Sequence, residues 1–158
     1  MRLSIRNDFA LGVPEAFEML TDPAFIEAVA HAAQPQSYEV QVAGRRVRVR
    51  RTFPTTPPLE LLAGPVVTLT EETVWDEPDG PERTAHTRVG ADGLPAAYRA
   101  TVRLYPGGRG ALLDYDGDIA VHVPFLGPKL EEQAAPLLRK AIEVQQVVAD
   151  DWKPRSPD

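Results

Sequence analysis

A chain of 158 residues with a formal charge of −6 and a pI near 5.1 is long enough for one core burying roughly 70% of its unfolded surface. The negative balance argues against general binding to nucleic acid or anionic membranes, both of which repel such a body. The absence of cysteine removes disulfides, thiolate nucleophiles and Cys-rich zinc sites together.

The N-terminal MRLSIRNDF alternates: Leu3, Ile5, Asn7 and Phe9 share one face, with Arg2, Ser4, Arg6 and Asp8 on the other. That is the two-residue period of a half-buried strand, where a signal peptide would be continuously apolar. Pro14 suits a first helical position, so PEAFEML predicts a short helix buried through Ala16, Phe17 and Leu20. Asp22-Pro23 repeats the start signal, with Asp22 capping a second helix that reaches about His31.

Six further strands follow: Tyr38–Ala43, Arg46–Phe53, Val66–Glu77, Arg83–Val89, Ala96–Tyr105 and Ala111–Val123. Ala43-Gly44, Asp79-Gly80, Asp92-Gly93 and Gly107-Gly108 supply turn chemistry, and links this short join antiparallel neighbours. The exception is PTTPPLELLAGP at Pro54–Pro65, too long for a tight hairpin; it is read either as a lid or as a packed surface loop. The sixteen prolines and eleven glycines fall mostly between periodic segments and act as punctuation.

The stretch from Val121 to Trp152 reads as one long C-terminal helix. Leu130, Ala134, Leu137, Ala141, Val144 and Val148 recur at steps of four and three and predict its buried face. Pro136 lacks an N–H and crowds the carbonyl of Glu132, which predicts a kink or break. No apolar run reaches the roughly 18 residues of a membrane span, so the chain reads as a cytoplasmic body over 1–152 with a frayed tail over 153–158.

One strand, two short helices, six strands and a long helix make an α+β arrangement, a seven-stranded curved antiparallel sheet around the C-terminal helix. In this order the chain resembles the helix-grip fold of START-type, birch-pollen-allergen and polyketide-cyclase proteins, the START-like or SRPBCC superfamily. VPFLGPKLEEQAAPLLRKAIEVQQVVADDW, VTLTEETVW and GLPAAYRATVRLYP resemble an actinobacterial branch of uncharacterised function. The resemblance implies a small hydrophobic ligand, a lipid, polyketide or aromatic molecule, between helix and sheet. It brings no catalytic motif with it, and the superfamily hosts binding, transport and catalysis on one scaffold.

Strand phase selects the residues that face such a site. Most are apolar, and the plain reading of an apolar stripe is a filled core. The polar ones on that face are Asn7, Arg51, Glu71, Thr73, Arg83, Thr87, Tyr98 and Tyr115, each of which must find a partner if buried. Arg51 and Glu71 lie on consecutive strands and are placed to pair, either structurally or as the polar end of a pocket. The expected ligand-binding set is Asn7, Arg51, Glu71, Trp75, Thr87, Tyr98 and Tyr115 from the sheet, with Ala134, Leu137 and Ala141 from the helix.

Other motifs read as surface. Arg46, Arg48 and Arg50 alternate with valines and form a solvated strand face beside Glu39 and Glu72. Asp114, Asp116 and Asp118 lack the spacing of a calcium loop and fall on the outer face. His31, His86 and His122 lie in separate elements, and no serine sits in a nucleophile elbow. The sequence therefore predicts cofactor-free and metal-free binding of a small hydrophobic molecule. Two alternatives stand beside it: a cyclase, aromatase or dehydratase using Glu71 or a tyrosine, and a partner-binding module with a filled core.

Overall fold

The structure, a computed structural model, describes residues 1–57 and 59–152. Pro58, within the long loop, and the tail expected to fray over 153–158 lie outside the described residues. The chain runs β1 (Arg2–Phe9), α1 (Val13–Leu20), α2 (Pro23–Ala32), β2 (Ser37–Ala43), β3 (Arg46–Pro54), α3 (Glu60–Ala63) and β4 (Val66–Trp75). It continues through β5 (Arg83–Ala91), β6 (Ala96–Gly107), β7 (Gly110–Val121) and α4 (Gly127–Asp150).

All seven strands form one curved antiparallel sheet, in the order β1-β7-β6-β5-β4-β3-β2. From β2 to β7 the chain is a meander, and β1 completes the sheet beside β7. Gly44, Gly80, Gly93 and Gly108 take positive φ in the expected turns. Gly117 is needed for a different reason. A Cβ there would come within 2.1 Å of the Arg99 carbonyl oxygen on β6, so only glycine lets these strands coil closely.

The helices follow their start signals. Asp22 accepts a hydrogen bond from the Ala24 N–H at 2.9 Å and caps α2. α1 buries Val13, Ala16, Met19 and Leu20, and its Phe17 meets Trp75 edge-on at 5.2 Å.

α4 differs from the expected helix in three respects. It begins at Gly127, because β7 continues to Val121 and the chain then turns through Phe125, whose φ is 67°. It passes through Pro136 without a break. The carbonyl that loses its donor belongs to the exposed Glu132, on the side where water can replace the bond.

The third difference is rotational. The seam is centred on the buried Ala135, Ile142 and Gln145, with Glu131, Leu138 and Ala149 half-buried along it, one residue on from the expected face. Leu137 is 70% exposed and Ala141 is exposed, while Leu130, Ala134, Val144 and Val148 are half-buried at the seam's margin. Two polar residues explain the shift. Glu131 takes the Met1 amine at 3.1 Å, and Gln145 binds the Tyr115 hydroxyl, so each is satisfied where hydrophobic periodicity would not place it.

Candidate functional site

α4 lies across β1 and β7 and touches α2, and α2 in turn covers β2 and part of β3. The inner face of the sheet consequently carries two apolar clusters. The larger joins β1, β5, β6, β7, α1, α2, α4 and Trp75; the smaller gathers Ala30, Val47 and Val49 with Ile26, Val40 and Val42 around them.

Between the clusters runs a polar seam on β3, β4 and β5. Register places Thr73 opposite Thr87, and their hydroxyls meet at 2.7 Å. Val49 stands opposite Glu71 and Arg51 opposite Leu69, so Arg51 reaches Glu71 diagonally, with Nη1 donating to Oε2 at 2.8 Å. The side chains are 11% and 23% exposed, which makes this the most enclosed ion pair joining two side chains among the described residues. Beside it Leu69, Val89 and Phe53 are only half-buried, so this stretch of the inner face is incompletely covered.

Tyr115 connects the seam to α4. Gln145 Nε2 donates to its hydroxyl at 3.1 Å, and the phenol's own proton meets no acceptor among the described residues. Burial pushes the Tyr115 pKa well above the usual tyrosine range, and the negative charge of Glu71 adds to the rise; the Gln145 bond and the Arg51 charge oppose it. The phenol is neutral at any physiological pH and is a donor, not a base.

Three further buried atoms have no partner among the described residues, on Asn7, Arg51 and Arg83. Asn7 is fully buried; its Nδ2 donates to the Ile142 carbonyl at 3.0 Å, while its Oδ1 has no partner among the described residues. Arg51 Nε is likewise buried and unpartnered. Buried polar atoms in native proteins are nearly always paired, so such groups mark places where a further molecule can be held.

The expected site residues therefore divide. Arg51, Glu71, Thr87 and Tyr115 lie along or beside the polar seam. Tyr98 is consumed elsewhere: its hydroxyl donates to the Leu3 carbonyl at 2.9 Å, and burial followed by the charges of Asp116 and Asp118 pushes its pKa up to about 12. Trp75 is packed into the large cluster against Phe17. Asn7 fastens α4 to β1. From the helix, Ala134 is half-buried, whereas the exposed Leu137 and Ala141 belong to the solvent side.

Gln145 was not among the expected site residues. The signal was present in the four-and-three spacing of Ala135, Leu138, Ile142, Gln145 and Ala149, but it competes with a more apolar set one residue earlier. Arg83 faces inward but stays local, with its guanidinium 5.4 Å from the Phe17 ring.

On the outer face, Arg46 pairs with Glu72 at 3.4 Å and Arg50 with Asp92 at 3.0 Å, while Asp114 holds Arg6 and Asp116 holds Arg2. No helix among the described residues is long and apolar enough to cross a membrane.

The fold is shared with solved structures of low sequence identity. The protein TTHA0849 from Thermus thermophilus superposes with a TM-score of 0.63 at 16% identity, covering 96% of this chain and 95% of its own. An uncharacterized protein from Rhizobium leguminosarum gives 0.62 at 9% identity, over 96% and 95% of the two chains. A STAR-related lipid transfer protein from Xanthomonas axonopodis gives 0.52 at 12% identity, over 90% of this chain and 82% of that one. At these identities the likeness shows the helix-grip fold and nothing finer. No curated protein matches the sequence. A family model does match, over residues 4–152, and by it the chain belongs to the family described as a protein of unknown function, DUF2505.

Proposed function

We propose that residues 1–152 act as one unit that binds and carries a small hydrophobic molecule with a polar end, held between α4 and the inner face of the sheet. The observation that supports this reading is the polar seam of Arg51, Glu71, Thr73 and Thr87 between two apolar clusters, with Leu69, Val89 and Phe53 only half-buried beside it. Burial of a ligand's apolar body at about 25 cal/mol per Å² supplies affinity. The unused Tyr115 proton and Arg51 Nε supply orientation, both as donors, and so favour a ligand bearing a carbonyl, hydroxyl or carboxylate oxygen.

The ligand is a lipid, polyketide or aromatic molecule and the protein a cytoplasmic carrier, as the resemblance to START-type and polyketide-cyclase proteins implies. The lipid transfer protein with the same fold supports that choice by analogy. Binding is favoured over turnover because Glu71 is already neutralised by Arg51, and Tyr115 is held in its neutral form; neither is poised as a general base.

Native mass spectrometry of gently purified protein, paired with titration of the apolar fluorophore N-phenylnaphthylamine, tests this reading. A bound lipid or aromatic mass, or saturable fluorescence that weakens in Tyr115→Phe, is the expected result. No adduct and no saturable fluorescence would overturn it.

A further inference from the structure

We propose that the outer face of the sheet carries a second site, a cleft between Arg88 and Arg99 that takes the phosphate of a small soluble phosphomonoester. The cleft has a volume of about 620 Å³ and opens over β4, β5, β6 and β7, with Arg88, Arg99, Thr101, His86 and Val74 among its lining residues. Those side chains alternate with the inner-face residues of the same strands, so this site lies across the sheet from the seam and does not depend on it.

Arg88 of β5 and Arg99 of β6 are direct partners in the antiparallel register, both exposed. Directly opposed residues have Cα atoms roughly 4.5–5.5 Å apart, and like charges so placed repel. Most outer-face arginines have an acid: Arg2 holds Asp116, Arg6 holds Asp114, Arg46 holds Glu72, Arg50 holds Asp92 and Arg103 holds Glu82. Arg88 and Arg99 have none among the described residues, although acids are within the register.

Asp118 stands opposite Arg99 and Glu72 opposite Arg88, yet neither forms the pair; Glu72 is engaged by Arg46 and the cleft's other acid, Asp116, by Arg2 and Ser4. Arg88 and Arg99 thus line one concavity with no acid of their own, beside an Asp118 that has no partner among the described residues either.

Gly90 lies under the end of the Arg88 side chain. It follows Arg88 by two residues on the same face, and a Cβ there would stand 2.5 Å from Arg88 Nη1. The Arg88 guanidinium therefore lies over Gly90, along its own strand, where the lack of a side chain leaves it room. A pair of planar donor forks matches the oxygens of a phosphate, and a dianion between them offsets their mutual repulsion. The cleft is within the roughly 300–1,000 Å³ of small-molecule sites and larger than an inorganic ion needs, and the 38%-exposed Val74 offers apolar contact to an ester's substituent.

Calorimetric titration of the protein at low ionic strength with phenyl phosphate, and with inorganic phosphate as competitor, tests the site. Saturable binding that weakens by about tenfold in Arg88→Gln and in Arg99→Gln is expected, because each substitution removes one charged fork. Arg48→Gln removes an arginine of the same face that lies outside the cleft and is expected to bind as the wild type does.

Equal melting temperatures of the variants without phosphate establish that folding is intact, and Arg88→Lys, retaining the charge without the fork, is expected to bind with intermediate strength. The proposal is overturned by the absence of saturable binding or by an equal loss in Arg48→Gln. Binding confined to phosphatidic acid vesicles, with neither soluble phosphate bound, also overturns it.

Discussion

Gln145 of α4 donates a hydrogen bond to the Tyr115 hydroxyl of β7 at 3.1 Å, a side-chain bond between two buried residues that ties the long helix to the sheet beside the Arg51–Glu71 pair. It fixes the rotation of α4 about its axis and takes the phenol's acceptor capacity. The phenol's proton remains available. Gln145→Leu is expected to lower stability by about 1–3 kcal/mol, since it strips the partner from a buried hydroxyl. Denaturant unfolding measures this. In Tyr115→Phe the same Gln145 substitution is expected to have a smaller effect, the two residues being coupled.

The ion pair of the seam is asymmetric in its response to substitution. Glu71→Leu leaves the Arg51 charge, at 11% exposure, without its acid, and an expected loss of about 1–3 kcal/mol follows. The double substitution Arg51→Met with Glu71→Leu is expected to recover most of that loss, because no charge is then stranded. A double-mutant cycle by chemical denaturation reads the coupling, and a double variant as unstable as the single one would contradict it.

The rotation of α4 gives opposite expectations for adjacent turns of the helix. Ile142→Ala removes a side chain that is 6% exposed and should cost about 2–5 kcal/mol, whereas Leu137→Ser, at 70% exposure, should change stability by about 0.5 kcal/mol or less. Pro136→Ala, at an exposed position inside the helix, is expected to stabilise by about 1–3 kcal/mol by restoring the bond to the Glu132 carbonyl. A melting temperature lowered by Pro136→Ala would mean that the rest of the fold depends on the proline's geometry.

Stability is expected to decline at both ends of the pH scale for separate reasons. The Asp114 carboxyl is held below its usual range by the hydrogen bond from Arg6, then that from Tyr105 and the Arg6 and Arg103 charges; Asp92 is lowered by Thr70 and then Arg50. A pKa lower in the folded than in the unfolded chain gives stability that is present above the usual carboxylate range and lost as pH falls through the folded value. Tyr98 has the opposite sign. Raised to about 12, it contributes stability present below the unfolded tyrosine value and lost as pH rises through about 12. Thermal melts across pH check both limbs: Arg6→Gln should weaken the acid dependence and Tyr98→Phe the alkaline one.

The sheet was legible because each of its signals is local. Alternation in LSIRNDF, the turn glycines and the Asp22 cap act over a few residues, and the structure realises them with strand ends displaced by at most about two positions. The pairing of Arg51 with Glu71 followed from phase and adjacency alone.

What failed was the face of α4. Its seam includes Glu131 and Gln145, whose partners, the Met1 amine and Tyr115, come from distant parts of the sequence. The more apolar line through Leu137 and Ala141 won the periodicity comparison while standing in solvent. Strand phase turned Trp75 and Tyr98 to the inner face, where both are buried, but it could not show that Trp75 packs against Phe17 or that the Tyr98 hydroxyl binds the Leu3 carbonyl.

The placement of β1 beside β7 has a consequence for the order of events during synthesis. Every sheet partner of β1 lies between Ala111 and Asp118, so β1 is made before its partner and waits while five intervening strands and their hairpins are translated. Until β7 arrives, Leu3, Ile5 and Phe9 have no sheet to cover, and the growing chain exposes an apolar stripe that ends among the most enclosed parts of the molecule.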